Sequence, residues 1–290
     1  MPFRLLASLL FALAANLLLQ LPARAAYPDH IVKIVVPFAP GGGTDVVART
    51  LAQEMQKDLG VTVIIENKPG AGTIIGTQSV AASPSDGYTL LMATFANAVN
   101  PSLYSKLPYD AHKDFAPVAL VARSFNVVVV NPASPIKSIA DLIAAAKADP
   151  EKLSYGTYGT GTSAHLAGEL FKHMTGVNLT TVPYKGAAPA ITDLLGGQIQ
   201  VMFTTVASCA SLVEAGQLRA IGVTSAERSP AFPQLPTVSE AGASGYVAES
   251  WYGLYCAGEY ADRHHRPPQQ IGGQGRAGGG LQEAQRVRAS

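Results

Sequence analysis

The sequence predicts an α/β protein in two halves, each a mostly parallel sheet flanked by helices. Three observations carry this expectation. Short apolar runs alternate with helical stretches along most of the chain, the pattern of β-α-β units. Two longer extended runs, 117–131 and 246–255, each have the length to cross between halves. Hydrophobic residues make up 48% of the 290 positions, which is enough apolar side chain for a sizeable core.

The first half begins with a buried-strand run at 31–38. A helix follows over 45–59, where Val47, Leu51, Met55 and Leu59 recur every fourth residue and so share one face. Strand 61–67, helix 74–82 and strand 88–94 complete a β-α-β-α-β unit. After the first crossing run, Ser138 caps a helix that reaches Ala148, with Asp141 as its third residue. Strand 153–158 and helix 164–174, stopped by Gly176, come next. Strand 179–184, helix 188–195, strand 199–205, helix 208–215 and strand 219–224 then repeat the plan of the first half. No repeat of fixed period is present.

The N-terminus reads as an export signal. Arg4 precedes an apolar run over 5–21, and Ala23-Arg24-Ala25 is a small-residue cleavage site. Cleavage is expected after Ala25 or Ala26. The alternative is a membrane anchor, but about 17 residues is near the lower limit for a span. The expected division is a signal over 1–25, a first lobe over 26–125 and a second over 126–247. A return crossing over 248–255 and a tail over 256–290 follow.

Charge and cysteine usage exclude several function classes. A formal net charge of +1 gives no electrostatic case for nucleic acid or a membrane surface. Cys209 and Cys256 lie in unlike surroundings and are not expected to pair, and no His/Cys cluster suggests a metal. No G-x-S-x-G is present, and His165 beside Ser163 has no acid to orient it, so a packing or capping role is expected.

Two strand-to-helix junctions remain. The first is Pro37-Phe38-Ala39-Pro40-Gly41-Gly42-Gly43-Thr44-Asp45. Three glycines allow a tight bend and a close approach of backbone to ligand. The free N–H groups of the following helix favour an anion. No G-K-[S/T] follows, so this is not a phosphate loop. Asp45 either folds back as a cap, the favoured reading, or accepts a ligand ammonium group.

The second junction is Gly156-Thr157-Tyr158-Gly159-Thr160-Gly161-Thr162-Ser163-Ala164-His165. Gly159, Gly161 and Ala164 match a dinucleotide fingerprint weakly, because no acid follows the next strand to hold a ribose. The hydroxyls of Thr160, Thr162 and Ser163 suit a carboxylate instead. Segments 94–97, 184–186 and 203–205 end strands and so fall where open sheets hold ligands. Lys185 is the one cation among them. Segment 67–72 ends a strand as well, though turn formation explains it equally.

Taken in order, P-F-A-P-G-G-G-T-D, V-I-I-E-N-K-P-G-A-G, Y-G-T-Y-G-T-G-T-S-A-H-L-A-G-E-L, V-P-Y-K-G-A-A-P-A-I-T-D-L-L-G-G-Q-I and S-W-Y-G-L-Y resemble the Bug family of tripartite tricarboxylate transporter receptors, from about Tyr27 to Tyr255. The resemblance implies a two-lobed, type II-like periplasmic binding protein of Venus-flytrap type. It implies a monomer without catalytic activity or cofactor. The ligand would be a di- or tricarboxylate, an acidic amino acid or an aromatic acid, delivered to inner-membrane permease subunits. The grip falls on Phe38 to Asp45 and on Gly159 to Ser163, with selectivity from Phe95, Asn97, Lys185 and Thr204. A sensor for a membrane kinase would share the same cleft. An α/β enzyme using the Gly159 loop for a dinucleotide is the more remote alternative.

The tail departs from the family pattern. After Tyr255 it is rich in Gly and Arg, with Ile271, Leu281 and Val287 as its large aliphatics, and disorder is expected. GC-rich codons for C-A-G-E-Y-A-D-R-H-H-R, read one nucleotide out of phase, can spell A-P-A-S-T-P-T-A-I-I-A, close to the family's continuation. A single-base shift just after Tyr255 is therefore expected. Resequencing that stretch checks it, and a clean unshifted read removes the expectation.

Overall fold

The computed structural model describes residues 27–150 and 152–258. The expected export signal and nearly all of the expected tail lie outside them.

β1 (Val32–Val36) has β2 (Val63–Asn67) and β3 (Thr89–Thr94) on either side, both parallel to it. The β-branched and leucine runs of β1 and β3 suit strands buried on both faces, while β2 is the edge strand and leaves Ile64 exposed. Helix α1 (Gly43–Leu59) packs on this sheet through Val47, Ala48 and Ala52 and stops at Gly60, whose left-handed conformation fits a helix end. A 3-10 turn (Ala71–Thr73) leads into α2 (Ile74–Ala81).

The second half repeats the scheme. β5 (Ser154–Thr157) runs parallel to β6 (Thr180–Pro183) and β7 (Val201–Thr205). Helices α4 (Ile139–Ala148), α5 (Ser163–Thr175), α6 (Ala187–Leu195) and α7 (Val206–Glu214) flank them, and β8 (Arg219–Val223) follows. Ser138 caps α4 as its sequence implies, accepting the Asp141 N–H at 3.0 Å. Phe171, Phe203, Tyr155 and Tyr246 fill this half's core.

The mainly parallel expectation holds inside each half, and the two crossing strands add antiparallel pairs between them. β4 (Phe115–Val130) and β9 (Glu249–Ala257) run antiparallel to their neighbours. β4 pairs with β9 as far as Phe125 and then, from Asn126, inserts between β7 and β8. One strand thus serves both sheets, and the result is a two-lobed fold on a shared ladder. Buried Thr224 ties the two crossings together. Its hydroxyl accepts the Asn126 N–H at 2.8 Å and donates to the Ala248 carbonyl at 2.6 Å. The two lobes therefore share a narrow hinge of two adjacent strands.

β9 outlasts the expected crossing by two residues. Cys256 pairs with Leu90 and Ala116, and Ala257 with Phe115. Backbone pairing asks little of the side chains, so the ladder continues where the family-like motif stops. Cys256 is partly buried and Cys209 fully so, and both are free. Burial pushes the Cys209 thiol up to about 12, which makes it an inert core residue.

Helix α3 (Phe95–Leu103) is absent from the sequence expectation. Pro101 near its end and the polar Asn97 and Asn100 hide its period.

Candidate functional site

The lobes meet along the C-terminal ends of the parallel strands, but the two glycine-rich junctions do not close on each other: the first lies against Ala187, Ala188, Thr205 and Ser208 of the second lobe, and the second against Gly72, Asn100 and Leu103 of the first. In the first, Gly41 has φ +82°, a conformation that a side chain resists. Asp45 holds the bend from inside α1. Its carboxylate accepts the Gly41 N–H at 3.0 Å, the Asn67 Nδ2 at 2.9 Å and the Arg49 Nε at 2.9 Å. Burial pushes the Asp45 pKa up, but the hydrogen bonds from Arg49, Gly41 and Asn67 outweigh it and hold the carboxyl below its ordinary range. Asp45 is 3% exposed, and its acceptor sites are engaged inside the lobe. Folding back onto the loop is thus what the structure shows.

The second junction is built alike. Thr162 caps α5, its hydroxyl accepting the His165 N–H at 3.4 Å and donating to the Gly159 carbonyl at 2.7 Å. His165 Nδ1 accepts the Gly161 N–H at 3.3 Å. Burial lowers the His165 pKa, so the neutral ring that this acceptor role requires is the favoured form. Gly159 comes so close to the other lobe that a Cβ on it would lie 3.2 Å from Gly72 Cα.

A cavity of about 290 Å3 opens between the lobes. Pro37, the turn Gly70-Ala71-Gly72-Thr73 and Tyr104 line it from the first lobe. Tyr158, Gly159, Thr160, Pro183, Tyr184 and Lys185 line it from the second. Beside it lies a crevice of about 10 Å3, bounded by Phe38, Gly42, Gly43, Thr44, Tyr158, Ala187, Thr205 and Ser208. That volume is close to what one water needs. Residues at the N-termini of α1, α6 and α7 border this crevice, so three partly positive helix ends converge on it. Neither lining contains a carboxylate. Lys185 is its one formal charge and makes no ion pair among the described residues. Tyr158 borders both spaces. Its hydroxyl donates to Thr204 Oγ1 and accepts the Thr205 N–H at 3.1 Å, and its ring meets Phe38 edge to face.

The structure brings Gly159, Thr160 and Lys185 onto the larger cavity, and Phe38, Gly42, Gly43 and Thr44 onto the crevice. Ala39, Pro40, Gly41, Asp45, Gly161, Thr162 and Ser163 stand outside both linings and shape the two loops. Phe95, Asn97 and Thr204 do not reach the cavity either, against the expectation that they select the ligand. Phe95 begins α3. Asn97 accepts the Thr94 N–H at 2.8 Å and donates to Thr77 Oγ1 at 2.9 Å. Thr204 is fully buried against the Tyr158 hydroxyl.

Segment 67–72, which ends a strand and could face the cleft, supplies Gly70, Ala71 and Gly72 to the cavity, and Thr73 and Tyr104 join them without a sequence-based assignment. Ala71 and Thr73 adopt positive φ, +47° and +86°, in the turn lining the cavity. For a β-branched residue this is a strained conformation, of the kind that collects at ligand sites. Asn100 of α3 braces the turn, its Nδ2 donating to Thr73 Oγ1 at 3.1 Å and to the Gly72 carbonyl at 3.3 Å. The signal for this turn was N-K-P-G-A-G, which an ordinary β-turn explains equally well.

Comparison with known proteins follows the same lines. The profile of the tripartite tricarboxylate transporter family receptor matches residues 47–263. Protein BugT of Bordetella pertussis is 40% identical over 230 residues, which is 79% of this chain and 71% of BugT. The solved structure of the periplasmic binding protein BugD superposes with a TM-score of 0.78 at 39% identity, covering 81% of this chain and 79% of BugD. Rpa4515 of R. palustris, solved with adipate, gives a TM-score of 0.77 at 40% identity, with 80% and 78% covered.

Proposed function

Because the chain belongs to the tripartite tricarboxylate transporter receptor family, we propose that it is exported to the periplasm, captures a small carboxylate between its lobes and presents it to the membrane subunits of such a transporter. One observation carries this reading. The larger cavity is walled by backbone and hydroxyl groups and one lysine, the crevice beside it by three helix N-termini, and neither lining contains a carboxylate. Such a wall favours an anion and repels no negative charge. The adipate seen with Rpa4515 is a dicarboxylate, of a size that fits a cavity of about 290 Å3. The expected export signal and the periplasmic location named for BugD both support export to the periplasm.

Capture without chemistry is supported by the receptor family and by its periplasmic binding-protein neighbours. Ser163 Oγ lies 3.5 Å from Asn126 Oδ1, while His165 Nδ1 is engaged by a loop N–H, so no nucleophile–base pair forms there. Ligand delivery then depends on the lobes closing and opening about the β4–β9 hinge.

A thermal-shift screen of carboxylates tests the reading. A carboxylate at 100 times its dissociation constant should stabilise the protein by about 2.7 kcal/mol. The midpoint should rise by roughly 5–10 °C. If a nucleotide shifts the transition and no carboxylate does, the reading fails.

A further inference from the structure

We infer that Gly43 and the start of α7 form a closure latch, in which the absence of a side chain at Gly43 sets how far the lobes can shut. The inference rests on the capture reading above but adds a residue-level mechanism to it.

Gly43 is the first residue of α1, on the first lobe, and its N–H donates to Ser208 Oγ at 2.9 Å. Ser208 and Thr205 sit at the start of α7, on the second lobe, and their hydroxyls are 2.9 Å apart. A second inter-lobe hydrogen bond lies close by, from the Ala39 N–H to the Lys185 carbonyl at 2.9 Å. The two lobes are therefore joined by donors of the first glycine-rich loop and acceptors of the second lobe.

A Cβ placed on Gly43 would lie 2.5 Å from Thr205 Oγ1, 2.6 Å from Ser208 Oγ and 3.1 Å from the Ser208 nitrogen. All three contacts belong to the opposite lobe. Within its own lobe, position 43 is the first turn of a helix, where alanine is more favourable than glycine. An alanine there is thus tolerated by the fold and opposed by closure. This separates closure from folding, which most buried glycines do not allow. Gly168 is a contrast, since its Cβ would meet the Tyr155 ring of the same lobe at 2.2 Å.

The test uses Gly43→Ala in the full chain, with adipate as the probe. Its melting temperature without adipate should equal or exceed that of the wild type. Its affinity for adipate should fall roughly 10- to 100-fold, the range expected when a methyl group is forced into a filled contact. Small-angle scattering should give a larger radius of gyration than the wild type, with and without adipate. Adding Thr205→Ala and Ser208→Ala removes the two hydroxyls that meet the new methyl and should recover part of the lost compaction. Wild-type radius in Gly43→Ala overturns the latch, as does wild-type affinity. If the wild type binds no adipate or other carboxylate, the capture reading fails instead, and the ligand-free radii still decide the latch.

Discussion

Replacing Asp45 by alanine is expected to destabilise the protein by about 2–5 kcal/mol at pH 7, although the residue lines neither cavity. The carboxylate satisfies the Gly41 N–H and one Asn67 N–H, both part-buried, and each loses its partner in the variant. An orphaned buried donor costs about 1–3 kcal/mol. Arg49 adds little, because its side chain is 52% exposed and solvent screens it. The effect should also depend on pH in a defined direction. The folded pKa of Asp45 lies below its unfolded value, so its contribution is fully present above the unfolded pKa. It is lost as pH falls through the folded pKa. Urea unfolding at pH 7 and near pH 3 checks this, since the gap between wild type and Asp45→Ala should shrink in acid. A gap that is constant with pH would show that charge on Asp45 is not what holds the loop. Loss of ligand affinity should accompany the loss of stability, because the same three bonds shape the loop over the crevice.

Most of the α/β alternation was legible because it rests on local signals. Gly60 and Gly176 end their helices, and Ser138 begins one, through chemistry confined to a few residues. The partner change of β4 at Phe125 and Asn126 was legible only as length, since which strands it joins depends on contacts far along the chain. Helix α3 was not legible, and with it went Asn100 and Tyr104, the residues that brace and line the cavity from the first lobe. The second side of the site was legible in part, since the strand ends 184–186 and 203–205 supply Tyr184, Lys185 and Thr205 to the linings. Thr205 and Ser208 read as the end of a strand and the start of a helix. They join the site because Ser208 lies within a hydrogen bond of Gly43, 165 positions away, with the Thr205 hydroxyl 2.9 Å from that of Ser208. Glycine-rich loops announce themselves in a sequence, and strand ends do so more weakly, whereas which loop each strand end meets is set by contacts far along the chain.

The second large effect should come from the core beneath the second loop. Phe171 on α5 is fully buried, with its ring centroid 5.5 Å from that of Phe203 on β7 and 6.4 Å from that of Tyr246. Tyr246 in turn donates to the Ala167 carbonyl of α5 at 2.8 Å. Phe171→Ala removes the ring that fixes the helix to the sheet and should cost about 3–5 kcal/mol. Set against a total stability of about 5–15 kcal/mol, this is a large fraction. Phe171→Leu keeps most of the volume and should cost less than about 1.5 kcal/mol. The two lobes share β4 and β9, so loss of the second lobe's core should not leave the first intact. Guanidinium unfolding should therefore remain one transition, with a lower midpoint and an unchanged slope. A new intermediate would show that the hinge strands do not couple the lobes. The α5 N-terminus carries Gly159 and Thr160 into the cavity, so carboxylate affinity should fall only in proportion to the population that has unfolded. A larger fall with the protein still folded would mean that α5 moves as a unit and that its position, not merely its presence, sets the site.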